Sequence, residues 1–126
     1  MADQVIIYIG AVITIIWGIA HLFPTKNVVK GFGDISKDNK NIITMEWIVE
    51  GVALIFIGAV VVGITIIDAS SAVSAFVYIS SAIILIILAL VSLFTGFRVN
   101  FLPFKLCPVL FTTSALLILV GYLLQR

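Results

Sequence analysis

The sequence predicts an all-α integral membrane protein, a four-helix bundle with antiparallel helices and left-handed packing. Three observations carry that prediction. Of 126 residues, 63% are hydrophobic and only 10% are charged, whereas soluble domains run nearer half apolar and a quarter charged. Excess apolar surface at this length cannot be hidden in a water-soluble core. It is also not scattered: it falls into four runs, Val5–Phe23, Ile42–Ile67, Ala72–Phe97 and Leu106–Leu124. Each is about 19 to 26 residues, and a helix needs roughly 20 to cross a hydrocarbon slab of about 30 Å. The runs are continuous, which excludes the alternating pattern of a membrane β-barrel. A single transmembrane domain over residues 1–126 accounts for the chain.

The first run reads as a retained helix. No Lys or Arg precedes it, and "FPTKNVV" is no small-residue cleavage site. At 100° per residue it gathers Gly10, Thr14, Trp17, Gly18 and His21 on one face. Small and polar residues mark the inward face, because close approach and interhelical hydrogen bonds replace the hydrophobic drive that lipid removes. Pro24 to Asn41 forms a connecting segment with Lys26, Lys30, Lys37 and Lys40 interleaved with Val28, Val29, Phe32 and Ile35. It is expected as a loop at the membrane surface, its lysines meeting anionic lipid at about 1 kcal/mol per basic residue. Gly31 and Gly33 argue against one long helix there.

The second run places Trp47, Gly51, Leu54 and Gly58 on one flank, beside Glu46 and Glu50. The short "DASS" link then forces an antiparallel hairpin. Along the third run, Ser74, Tyr78, Ser81, Leu85, Leu88, Ser92 and Thr95 advance by alternating steps of four and three, the heptad seam of left-handed bundles. The fourth run offers Cys107, Ser114 and Gly121 inward, and Pro108 is expected in its first turn. One cysteine allows no intramolecular disulfide and no multi-cysteine metal cage. Cys107 is expected to be inert, because nothing in the sequence specifically activates it.

Ionisable groups collect at one end. Glu46 and Glu50 lie about 40° apart around a helix and about 6 Å apart along it. Glu46 falls at the interface, where it complements the positive helix end or serves as a pocket mouth. Glu50 falls inside the apolar span, where an ionised carboxylate is costly. It needs a partner, a water-filled pocket or a proton of its own. His21 ends the first run at the same level, and Arg98 and Lys26 follow nearby. The opposite half is expected to be nearly featureless. The candidate acid–base residues are therefore Glu50, Glu46 and His21, with Trp17, Thr14, Trp47, Tyr78, Ser92 and Arg98 as candidate ligand contacts. Glu-x-x-x-Glu is not the Glu-x-x-His pattern of di-iron bundles, so neither metal nor cofactor is expected. A net charge of +1 and the lack of a phosphate-cradling glycine loop speak against nucleic acid.

In architecture the whole chain resembles the DoxX-like small membrane proteins. In residue types, "WGIAH" and "ITMEWIVEG" are similar to the histidine-and-acid cluster of the sterol-isomerase-like (EXPERA) proteins. That resemblance implies proton shuttling on an apolar ligand. Three readings follow. The first is a protein that binds a small apolar or lipid-like ligand, with or without proton-transfer catalysis. The second is a proton- or cation-coupled transporter unit working as a homo-oligomer. The third is an accessory subunit of a larger membrane complex.

Six Lys and Arg residues lie on one side, with only Arg126 on the other. By the positive-inside rule the first and third connections are cytoplasmic and both termini outside, in the cell membrane. Single cysteines at Asn39 and Ser71, in a Cys107→Ser background, are expected to react with an impermeant reagent from opposite sides. Labelling of position 39 from outside would reverse the topology.

Overall fold

A computed structural model describes residues 1–126 as α1 (Ala2–Leu22), α2 (Thr25–Gly31), α3 (Lys37–Asp68), α4 (Ala72–Phe94) and α5 (Leu102–Leu124), with a 3-10 turn at Gly96–Arg98. There are no strands. Four of the helices are long and apolar enough to cross a membrane, and they form a four-helix bundle. Only 27 of 126 residues are buried, and large apolar side chains such as Phe56, Phe76 and Ile83 point outward. Lipid, not water, is the solvent that tolerates such a surface. The chain is a multi-pass membrane protein.

The helix ends depart from expectation for local reasons. α3 begins at Lys37, five residues before Ile42, because the Ser36 side chain caps it by accepting the Asn39 N–H at 3.1 Å. Its 32 residues exceed the roughly 20 needed to span, so its first turns extend past the apolar run. The first connection is not a plain loop. Seven of its residues form α2, and Gly33, at φ +73, turns the chain back toward α3. α5 begins at Leu102, with Pro103 rather than Pro108 in its first turn; Pro108 is inside the helix. α4 stops at Phe94 and its expected last turn tightens into 3-10 geometry.

α1 is the central helix. It packs along α3 on one side and α5 on the other, and α4 packs on α5. Glycines set those contacts. A Cβ on Gly18 would come within 2.7 Å of the Gly51 carbonyl oxygen, and one on Gly58 within 2.6 Å of the Ala11 oxygen. On the α5 side, a Cβ on Gly10 would meet the Ser114 oxygen at 2.9 Å. The backbones therefore touch directly, as in membrane pairs of small residues. By contrast α3 and α4, although joined by the shortest link, share little contact.

The α4 seam is buried at Ser74, Tyr78, Ser81 and Leu85, and then turns to Ala82 and Ala89. Leu88 and Ser92 are half-buried and Thr95 is exposed. A helix of 3.6 residues per turn drifts about 20° per heptad from a strict seven-residue repeat, so the heptad reading fails at its far end. Ser92 and Thr95 satisfy their hydroxyls on Leu88 O and Val91 O, at 2.7 and 2.6 Å.

The hairpin end is not featureless. Asp3, Tyr8, Thr65, Asp68 and Gln125 line a polar cleft of about 550 Å³. Ser71 caps α4 by accepting the Ser74 N–H, Ser74 Oγ donates to the Asp68 carbonyl, and Thr65 and Tyr78 hydroxyls bond at 2.9 Å. These residues sit at the ends of separate helices, so no single sequence window displays them.

The glycine contacts generate a paired test. Gly58→Ala must push Ile15 Cγ1 and the Ala11 backbone aside, an overpacking cost of about 1–3 kcal/mol. Gly63→Ala meets nothing within 4 Å and is expected to be neutral or to stabilise by up to about 1 kcal/mol. Thermal unfolding in detergent reads the difference; equal midpoints would remove the glycines from the helix contacts.

Candidate functional site

Gly18 and Gly51 bring α1 and α3 together one turn before His21, so the last turn of α1 faces the first apolar turns of α3. A Cβ on Gly51 would lie 3.2 Å from His21 Cβ. At this approach His21 Nε2 stands 3.5 Å from Glu50 Oε1. His21 is 4% exposed and the Glu50 side chain 38%. The other ring nitrogen, Nδ1, bonds the Trp17 carbonyl at 2.8 Å. A carbonyl only accepts, so Nδ1 carries a hydrogen, and Nε2 is the nitrogen that faces the acid.

That arrangement fixes the proton inventory. With an unprotonated Nε2 and an ionised Glu50, two lone-pair surfaces would face each other. One proton between them, on either the imidazole or the carboxyl, removes the conflict. The pair is a contact through which one proton can be shared. Its 3.5 Å separation exceeds the roughly 2.7–2.9 Å of a tight charge-assisted hydrogen bond, so Glu50, the more exposed partner, can turn to a third group while Trp17 holds the ring.

Aromatic rings wall the pair. Trp17 meets the imidazole edge-on at 5.5 Å, and Trp47 lies over it at 4.9 Å and 31°. Trp47 Nε1 also donates to the His21 carbonyl, tying α3 to the end of α1. Phe104 meets Trp47 edge-on at 5.5 Å. Two cavities meet at Trp47. One, of about 160 Å³, is lined by Trp17, His21, Trp47, Phe101, Phe104 and Cys107, with Pro24 and Val28 of the α2 segment among its walls. The other is a groove of about 370 Å³ where α3 and α4 stand apart, lined by Glu46, Trp47, Glu50, Leu54 and Leu88. Glu50 belongs to the groove and His21 to the aromatic cavity, so their contact links the two.

The expected site residues divide accordingly. Glu50, His21, Trp17 and Trp47 come together, and Glu46 lies at the groove but has no ion pair. Thr14 is buried one helical stretch away and bonds Gly10 O at 3.0 Å. Tyr78 is at the hairpin end on Thr65. Ser92 bonds its own helix, and Arg98 is exposed on the 3-10 turn without an ion pair. These four are not at the pair. Sequence reasoning missed Phe101, Phe104 and Leu88 as wall residues. It also set Cys107 aside, whereas the thiol is buried beside the His21 ring and donates to Pro103 O at 3.5 Å. Its place seven residues before Ser114 on the inward face was the available clue. No cluster of three or more metal-ligating side chains is present.

The chain matches no protein-family model, no curated protein and no solved structure.

Because the chain has a single histidine, ¹⁵N-histidine labelling reports this site alone. Nδ1 is expected to stay protonated throughout. The Nε2 resonance should move in Glu50→Gln and stay nearly fixed in Glu46→Gln. An equal response to both variants, or an unprotonated Nδ1, would dissolve the assigned pair.

Proposed function

We propose that this protein binds a small apolar or lipid-like molecule at the basic end of the bundle and exchanges a proton with it through His21 and Glu50. The reading rests on one observation: a buried histidine and a half-buried glutamate in contact, walled by two tryptophans, with a cavity on each side. Ligand pockets are mostly apolar with a few convergent polar groups, and typically hold about 300–1,000 Å³. The groove reaches that range; the aromatic cavity by itself is too small for more than a ring or a short branch.

In this reading the ligand enters from the bilayer, through the opening between α3 and α4, with its apolar body along Leu54 and Leu88. Its polar atom meets Glu50, which has the exposure to reach it. His21 holds the second position for the shared proton, and the Trp17 carbonyl keeps the ring oriented, as a general acid–base group requires. Trp47 separates the groove from the aromatic cavity. Glu46 sits at the groove as a charged mouth. The lysine-rich connections support a cytoplasmic orientation of this end by the positive-inside rule, and in this reading the proton exchange is cytoplasmic. The chemistry parallels what the sterol-isomerase-like proteins do with a histidine and acids, and the small DoxX-like bundles are the parallel in architecture.

Protein purified in mild detergent, extracted and analysed by mass spectrometry is expected to retain an apolar molecule at near-stoichiometric level. Glu50→Gln keeps the shape and removes the exchangeable proton, so binding should lose its pH dependence while the thermal midpoint stays unchanged. Trp47→Ala should lower occupancy itself. Proton flux by the wild type in liposomes with no bound molecule would favour a transporter unit, and a tightly co-purifying protein would favour an accessory subunit.

A further inference from the structure

α2 and the start of α3 enclose a second site that the proton chemistry does not use. Thr25, Lys26, Val29, Lys30, Lys40 and Thr44 line a recess of about 280 Å³ between the two helices. Lys26 and Lys30 of α2 and Lys40 of α3 line one space, and no carboxylate lines it. Neither do these lysines form any ion pair elsewhere, since the molecule's two ion pairs involve the chain's amino terminus with Asp3 and His21 with Glu50. Asp34 and Asp38 lie in the same stretch of chain but line no part of the recess. Like charges brought together without a counter-ion repel, so the recess is complementary to an anion with several oxygens.

We propose that this recess is a binding site for the phosphate headgroup of an anionic phospholipid. Its depth fits. Lys26 and Lys30 follow directly on the end of α1, and Lys40 stands two residues before Ile42, where the apolar run of α3 begins. With Glu46 at the interface six residues further on, Lys40 lies about 9 Å outside the hydrocarbon at 1.5 Å per residue, on the headgroup side of the boundary. Apolar side chains neighbour its walls along the chain: Phe23, two residues before Thr25, is 86% exposed, and Met45, next to Thr44, is also exposed. A free phosphate would leave those surfaces unused, whereas a lipid carries acyl chains to cover them. Basic recesses between membrane helices on the cytoplasmic side bind anionic headgroups for this combination of reasons.

The hydroxyls refine the recess. Thr25 Oγ1 donates to Leu22 O at 2.8 Å and Thr44 Oγ1 to Lys40 O at 2.7 Å. Each hydroxyl hydrogen is occupied within its own chain segment, so the oxygens are held in place at the wall and the lysines supply the donors. A headgroup seated there bridges α2 to α3. Because α2 also contributes Val28 to the aromatic cavity beside His21, the same lipid holds one wall of that cavity.

The test uses the full chain in neutral detergent, titrated calorimetrically with short-chain phosphatidylglycerol, short-chain phosphatidylcholine and inorganic phosphate. Phosphatidylglycerol is expected to bind and phosphatidylcholine to bind far more weakly. The lysines are exposed, so the K26Q/K30Q/K40Q variant should fold, and its affinity should fall on the order of a hundred-fold, roughly five-fold per surface cation. A control of equal charge change, K37Q/K105Q/R126Q, should stay within about three-fold of wild type. An equal loss in the control would overturn the site in favour of diffuse charge. Equal binding of phosphatidylcholine would overturn the anion assignment, and phosphate binding as tightly as the lipid would overturn the lipid one.

Discussion

The direct contact of the α1 and α3 backbones at Gly18 and Gly51 is the constraint on which the rest depends. With no Cβ on either residue, the two helices close to a separation at which any added methyl would strike a carbonyl or a side chain. Lipid gives no hydrophobic reason for helices to associate, so contact area and backbone proximity must hold them. That proximity also sets the reach between His21, one turn beyond Gly18, and Glu50, the residue beside Gly51. A wider spacing would separate the imidazole from the carboxylate and leave a charge in apolar surroundings without a partner. Trp47 then fastens the same junction by its bond to the His21 carbonyl.

The bundle is asymmetric in a way that serves this junction. α1 is held on both sides by glycines: Gly51 and Gly58 of α3 face it on one side, and on the other its own Gly10 meets α5 while Gly121 of α5 meets it. α3 and α4 are held at the hairpin, where Ser71, Ser74 and the Thr65–Tyr78 hydroxyl pair satisfy the polar groups of the turn. Farther along they stand apart, and the space between them is where Glu46 and Glu50 lie. Rigid association around α1 and a loose seam at α3–α4 together give a site that is oriented on one side and accessible on the other.

The basic connection completes that end. α2 is too short to stand alone as a helix in water; it is held by Thr25 on the last carbonyls of α1 and by contact with α3. One of its faces closes the aromatic cavity and another presents lysines. The His21–Glu50 contact and the lysine-lined recess are therefore neighbours, with α2 giving Val28 to the cavity beside the first and Lys26, Val29 and Lys30 to the second.

Composition and run length alone determined the class of this protein: four apolar segments of spanning length admit a helical membrane bundle and little else. The inward face of α1 was legible too, because Gly10, Thr14, Gly18 and His21 lie on one side of a single helix and periodicity is a local property. Glu50 stood out as a carboxylate inside an apolar run. The tertiary structure decided what periodicity cannot carry. It put Tyr78 and Ser92, both on the expected α4 seam, away from the pair, because sharing a face says nothing about sharing a level with a neighbour. It brought Phe101, Phe104 and Cys107 to the cavity beside His21 from the start of α5, eighty or more residues on in the sequence. It shifted the start of α3 to Lys37 through a single serine cap and made a helix of what read as loop. The physical reason is the same in each case: helix formation and lipid solvation are governed by neighbours along the chain, whereas a site is made by the depth and rotation at which separate helices meet, and those are set by backbone contacts such as Gly18 on Gly51.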